Sequence, residues 1–373
     1  MVARLEEQMR KPALGWALLL GVCLAPVGPV GAQLRWESYV HGGETFSLAL
    51  HGEELWVGTS GGIRIFRGGA GAVQIRELTT RDNLPGNAVS ALAFEPNALW
   101  IGTRAGVTGR LDLVANTWQT FDSRAGLPAA PVAELLFDGQ EVYAATLGGG
   151  VARFNVLRQD WQVWNQEDGL PNATVRCLAA DPEGLWAGTD RGLLRYTRDA
   201  MMWDPVRVDQ GLTGRIDDLA ISGGDLWIAS ASDGLCRIRL ADGRFLRYEL
   251  GRYGVKRVSA LWPTAGGDLW VATDAGLVVA TADAARDWSF VEHPLGETSG
   301  LVEQDGVVWV ATRRDGIWRY RAADGNWDRY ESHEALPSGE LTALATQASA
   351  TWVGFREHGV GRHDWNTGRW KTL

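Results

Sequence analysis

The chain has 373 residues, of which 47 are Gly and 19 Trp, with 45% hydrophobic and 22% charged residues. That is the make-up of a folded protein rich in short strands and turns, and it excludes a disordered or fibrous chain. A formal charge of −9 argues against general affinity for nucleic acid or an anionic membrane surface, since both need basic patches.

The first segment, 1–32, stands apart. Arg4, Arg10 and Lys11 form a basic start, diluted by Glu6 and Glu7, and an apolar run of 13 residues follows from Ala13 to Ala25. The run is too short for a comfortable membrane span, and Val30-Gly31-Ala32 offers a small-residue cleavage site before Gln33. This pattern predicts a signal peptide and a periplasmic or secreted mature chain, 33–373, folded as a single domain. A lipoprotein reading would use Cys23, but Val22 stands where a small residue is expected. Membrane attachment is expected only if the segment stays uncleaved or is lipidated. Beyond it lie two cysteines, Cys177 and Cys236, on non-matching strands of successive repeats. They read as two buried thiols, not a disulfide.

From residue 55 the chain repeats. Leu55-Trp56-Val57-Gly58-Thr59 returns as LWIGT, VYAAT, LWAGT, LWIAS, LWVAT, VWVAT and TWVGF. The aligned aromatic residues are Trp56, Trp100, Tyr143, Trp186, Trp227, Trp270, Trp309 and Trp352, spaced by 39 to 44 residues. Each copy adds an apolar stretch before the Trp strand, a Gly and third strand after it, and a fourth strand that often opens on Trp. Asp242-Gly243 and Asp324-Gly325 supply hairpin residues between third and fourth strands. A period just above forty with four strands per copy predicts an all-β propeller of four-stranded antiparallel blades. Eight blades are expected, with seven as the alternative. The repeated Trp is read as packing between blades. Two segments compete for the closing strand: Arg35-Trp36-Glu37-Ser38-Tyr39 and Arg369-Trp370-Lys371-Thr372-Leu373.

The fourth copy carries a more specific pattern. Gly169-Leu170-Pro171-Asn172-Ala173-Thr174-Val175, then Asp181-Pro182-Glu183-Gly184-Leu185-Trp186-Ala187-Gly188-Thr189, then Gly192-Leu193-Leu194-Arg195-Tyr196 resembles the two-component regulator propeller repeat. The GLP element recurs at Gly126-Leu127-Pro128 and, degenerate, at Asn83-Leu84-Pro85, Gly211-Leu212-Thr213 and Ala335-Leu336-Pro337. In that family such propellers commonly form the periplasmic sensing part of a hybrid histidine kinase. This sequence shows no kinase or DNA-binding segment, so the resemblance implies a free-standing exported propeller.

Candidate recognition residues are those that break the repeat. Asn87, Asn172, Arg176, Arg215, Asp217, Lys256 and Arg257 lie at or near inner-strand starts, where most copies carry small or apolar residues. Arg176 and Asp217 share a repeat position in adjacent blades. They predict either a salt bridge lining the channel or a polar site for a sugar or small anion. Trp262, Trp318 and Trp365 lie off the repeat positions and offer either extra packing or a platform for carbohydrate. Five third-strand arginines, Arg153, Arg195, Arg237, Arg319 and Arg362, recur and read as structural. His41, His51, His358 and His363 meet at the ring seam without a tight ligand motif, so no metal and no cofactor are expected.

Glu134, Asp217 and Asp218 lie on inner strands, but nothing marks a paired-carboxylate glycosidase, a nucleophile elbow or a nucleotide loop. The leading expectation is non-enzymatic recognition of a glycan, a small molecule or an envelope protein. A propeller hydrolase or lyase and a scaffold subunit of an envelope or secretion assembly are the alternatives.

Overall fold

The computed structural model describes residues 45–372, apart from 52–53, 68–72, 169, 208–211, 252–253, 265–267, 284–286, 294–297, 305–306, 313–316, 322–325, 331–340, 348–349, 356–358 and 365–368. The expected signal peptide, Cys23, His41 and the strand-like segment 35–39 lie outside the described residues, as do His358 and Trp365.

Among the described residues the strands form eight four-stranded antiparallel sheets, each built from four strands consecutive in the chain. Numbered in chain order, the blades occupy 45–78, 89–121, 132–164, 175–205, 216–248, 258–293, 298–330 and 341–372. The first strand of each blade packs beside the first strand of the next, and the first strand of blade 8 packs beside that of blade 1. First strands therefore line the centre of a closed ring, with fourth strands outside. Blade 8 is completed by Arg369–Thr372, the second of the two competing segments.

The repeat motif explains why these residues make these blades. Its Trp lies on the second strand and reaches into the apolar layer shared with the next blade. Trp56 clusters with Leu92, Leu99 and Ile101 of blade 2, Trp100 with Val142 and Phe154 of blade 3, and Trp186 with Ile216, Leu226 and Ile228 of blade 5. The small residue two positions on is a spacing device. A Cβ on Gly102 would lie 2.4 Å from Val132 Cγ1, and one on Gly188 would lie 2.4 Å from Cys177 Sγ and 2.7 Å from Ile216 Cγ2. The closing Thr fixes the turn into the third strand: Thr146 Oγ1 donates to the Gly150 carbonyl at 2.7 Å and accepts from Gly149 N at 3.1 Å. Thr59, Thr189 and Thr273 repeat the arrangement.

The GLP elements are structural. Leu84, Leu127, Leu170 and Leu212 are buried in the interblade clusters. The residue before each of the first two takes the left-handed conformation, Asn83 at φ 65° and Gly126 at φ 92°. Such a residue reverses the chain after a short 3-10 turn, and Gly and Asn tolerate it.

The third-strand arginines have partners that the sequence did not announce. Trp100, Tyr143, Trp186 and Trp227 stand directly across from Arg110, Arg153, Arg195 and Arg237. A carboxylate near the hairpin joining the first two strands completes each set. Trp186 Nε1 and Arg195 Nη2 both donate to Asp181 at 2.8 Å, and the Arg195 guanidinium sits 4.4 Å from the Trp186 ring centroid. Arg237 pairs with Asp225 at 3.1 Å, and Trp100 and Arg110 share Glu95. In blade 3 the Tyr143 hydroxyl donates to Glu141, which also pairs with Arg153 at 3.1 Å. Burial works against ionisation of Asp181, but the hydrogen bonds from Arg195 and Trp186 outweigh it and hold the carboxyl below its usual range. Burial, then the bond to Glu141, pushes the Tyr143 phenol up.

Candidate functional site

Because first strands run antiparallel to second strands, each blade presents two ends. The loops entering the first strand and the turns between second and third strands share one mouth of the channel. The hairpins joining first to second strands share the other. Asn87, Asn172, Arg176, Arg215, Asp217, Lys256 and Arg257 all fall on the first mouth. Trp262 does not. It lies near the far end of its strand, opposite Trp270, half-buried and packed against the cluster holding Val308 and Val310 of blade 7. Trp318 is also half-buried, edge-on to Trp327 at 6.4 Å. These two tryptophans are packing elements and do not extend the polar group.

The expected bridge between Arg176 and Asp217 is replaced by two pairs, each within its own blade. Arg176 Nε donates to Asp190 Oδ1 at 2.5 Å, and Asp190 sits on the turn between second and third strands of the same blade. Arg215 contacts Asp217, two residues on, at 2.7 and 3.1 Å. The hydrogen bond to Asp217 raises the Arg215 guanidinium above its usual value, and the charges of Asp217 and Asp190 act in the same direction. The result is a row of alternating charge, Arg176, Asp190, Arg215 and Asp217. The first three side chains are 33%, 38% and 39% exposed.

Other candidates hold their own loops. Asn87 Oδ1 accepts from Thr80 N at 2.9 Å, and Asn172 Oδ1 accepts from Thr174 N at 2.7 Å. Asp274 Oδ1 accepts the backbone N–H groups of Lys256 and Arg257, both at 3.0 Å, which leaves the Lys256 side chain exposed at the mouth. Two residues escaped the sequence reading. Asp190 sits at a turn position that is Ser60, Arg104, Ala231 or Asp274 in other blades, and that variability was the available signal. Leu147 occupies the same turn position in blade 3 and is 39% exposed. It is bridged to Thr174, two residues before Arg176.

The inner-strand carboxylates have structural work. Each inner strand for which the register is given carries an irregularity after its first residue, which disturbs the ladder there. Glu134 reaches across to accept Leu178 N of blade 4 at 2.8 Å, and Asp218 reaches Leu261 N of blade 6 at 2.9 Å. Both are buried. Cys177 occupies the equivalent position between them, and burial drives its thiol well above its usual value. Cys236 is likewise buried and pushed up to about 12, and both cysteines are free. Of the histidines expected at the seam, His51 instead stacks on Phe94 of blade 2 at 4.6 Å, and His363 of blade 8 is buried. Among the described residues no group of three or more His, Cys, Asp or Glu could hold a metal ion.

The ring of four-stranded blades makes this chain a β-propeller. Residues 169–191 match the family described as Two component regulator propeller. No curated protein sequence matches the chain. Among solved structures it is similar to the computationally designed Ika8 protein, with a TM-score of 0.70 and 15% identity over 89% of this chain and 99% of that one. It is also similar to the extracellular domain of BT3049, a hybrid two-component system of B. thetaiotaomicron, with a TM-score of 0.59 and 19% identity over 76% of this chain and 41% of that one. A third is PorZ, a surface component of the type-IX secretion system of Porphyromonas gingivalis, with a TM-score of 0.57 and 15% identity over 85% of this chain and 52% of that one. The chain spans about half or less of these two natural relatives. At such identities the likeness shows the fold. No helix among the described residues is long and apolar enough to cross a membrane.

Proposed function

We propose that the chain is an exported recognition propeller that binds its ligand at the mouth carrying Arg176, Asp190, Arg215 and Asp217. The observation that carries this reading is the contrast between a repetitive frame and one irregular, partly exposed charged row. Everything repeated in the blades has a packing role, and the row has none that the repeat requires. The N-terminal sequence pattern and the extracellular origin of the BT3049 domain support export. Recognition is favoured over turnover because Glu134 and Asp218, the buried inner-strand carboxylates, are committed to backbone amides of the next blade.

The test uses the full mature chain on glycan and peptide arrays, with an Arg176→Ala/Asp217→Ala variant alongside. The reading expects at least a tenfold loss of binding for the variant with an unchanged melting temperature. Binding that survives the double substitution would move the site elsewhere. A second reading, a scaffold subunit of an envelope or secretion assembly, is favoured by one feature. Val114, Leu157, Met201 and Met202 are exposed by 83%, 72%, 75% and 53%; the first three lie in the turns joining third and fourth strands of blades 2 to 4, and Met202 opens the fourth strand of blade 4.

A further inference from the structure

The mouth is more selective than its charge alone suggests, and its make-up points to one ligand class. The row is electrically balanced: two guanidinium groups and two carboxylates, each cation already bonded to a carboxylate. A simple anion reaching the guanidinium N–H groups that remain open would still sit beside an aspartate's charge. Like-charge contacts of this kind oppose binding. A ligand that brings both signs can exchange each internal pair for an intermolecular one and leave no buried charge uncompensated.

The neighbourhood of the row adds a second constraint. Leu147 stands exposed at one end of it, tied through its bridge to Thr174 to the strand that carries Arg176. Among the described residues, the aromatic surfaces that could stack on sugar faces lie elsewhere. Trp262 packs near the opposite end of its blade, Trp318 packs against Trp327, and the ring of Phe46, on the first strand of blade 1, is covered by the Arg104 guanidinium at 4.2 Å. An apolar anchor followed by alternating charges, with no open aromatic platform among the described residues, matches a polypeptide segment better than an oligosaccharide.

We infer that this mouth binds an extended peptide segment carrying an apolar side chain, seated on Leu147, next to residues of both charge signs that pair along Arg176, Asp190, Arg215 and Asp217. The inference rests on the recognition reading above and narrows it to a protein partner. An extended chain advances about 3.3 Å per residue, so a short segment suffices to run along the row.

The deciding experiment screens the mature full-length chain against immobilised eight-residue peptides that combine one apolar residue with Lys or Arg and Asp or Glu. A glycan array runs in parallel. Two variants accompany it, Leu147→Ser and a charge exchange, Arg215→Asp with Asp217→Arg, and the melting temperature of each is measured. The inference expects micromolar peptide binding, a loss of about tenfold with Leu147→Ser, and an altered order of preferred charges with the exchange. Binding of glycans alone, abolished by the charge exchange, would overturn the peptide inference while leaving recognition at this mouth intact. Peptide binding untouched by both variants would overturn the inference and the placement of the site together. Silence on both arrays would overturn both as well.

Discussion

The two ends of blades 4 and 5 use the same chemistry for opposite purposes. At the hairpin end, Arg195 and Arg237 lie over the Trp186 and Trp227 rings and bond Asp181 and Asp225, with Arg237 only 3% exposed. At the other end, Arg176 and Arg215 bond Asp190 and Asp217 with their side chains 33% and 39% exposed. An ion pair walled by an indole cannot exchange partners without breaking the blade. An ion pair at the mouth can. Residue type therefore says little about role here, and burial says most.

The comparison can be broken at several points. Replacing Trp186 by Ala removes the ring that fills the layer between blades 4 and 5, and should cost roughly 3–5 kcal/mol in denaturant unfolding. A loss below about 1 kcal/mol would show that the repeated Trp is not the interblade filler. Arg237→Ala strands Asp225 in a largely buried site and should cost about 3 kcal/mol, read by the same unfolding curve. Gly102→Val drives a side chain into Val132 of the next blade and should cost about 1–3 kcal/mol, with a melting temperature lower than that of Gly102→Ala.

Acid tests the hairpin end without removing a ring. Because the folded state holds the Asp181 carboxyl below its usual range, its contribution is complete above about pH 4 and is lost as the pH falls below that. The gap in melting temperature between the native chain and Asp181→Asn should accordingly be widest near neutrality and close in acid. The smallest effect is expected at the mouth. Arg176→Ala should change stability by less than about 1 kcal/mol, as partly exposed pairs do, and a large loss there would show the row to be structural.

The fold was legible because its signal is periodic and redundant. Trp56 and its counterparts mark the second strand of every blade, and a missing cue in one copy, such as Tyr143 for Trp, is supplied by the others. The site was half legible. Arg176 and Asp217 stood out as exceptions, but their shared repeat position suggested a mutual bridge that the fold does not make. Arg176 instead meets Asp190 on the turn of its own blade, and Arg215 lies only two residues from Asp217 along the chain. Asp190 and Leu147 were missed because their turn position, although it recurs after each motif, has no common residue type against which an exception stands out. The carboxylates of the Trp and Arg sets were missed for another reason. Glu95 and Asp181 close their first strands whereas Glu141 and Asp225 open their second strands, so the acid has no constant place in the repeat.

Every sheet in the ring is made of strands that follow one another along the chain, and the last blade meets the first only by packing. A nick in any of the seven loops between blades would therefore cut no strand pairing within a blade, and those loops are equivalent in this respect. The molecule behaves topologically as a circle of interchangeable links, so joining residue 372 to residue 45 through a linker of about ten residues, enough to cross from an outer to an inner strand, and opening the chain between blades 3 and 4, near residue 168, should give the same ring with new ends at the recognition mouth.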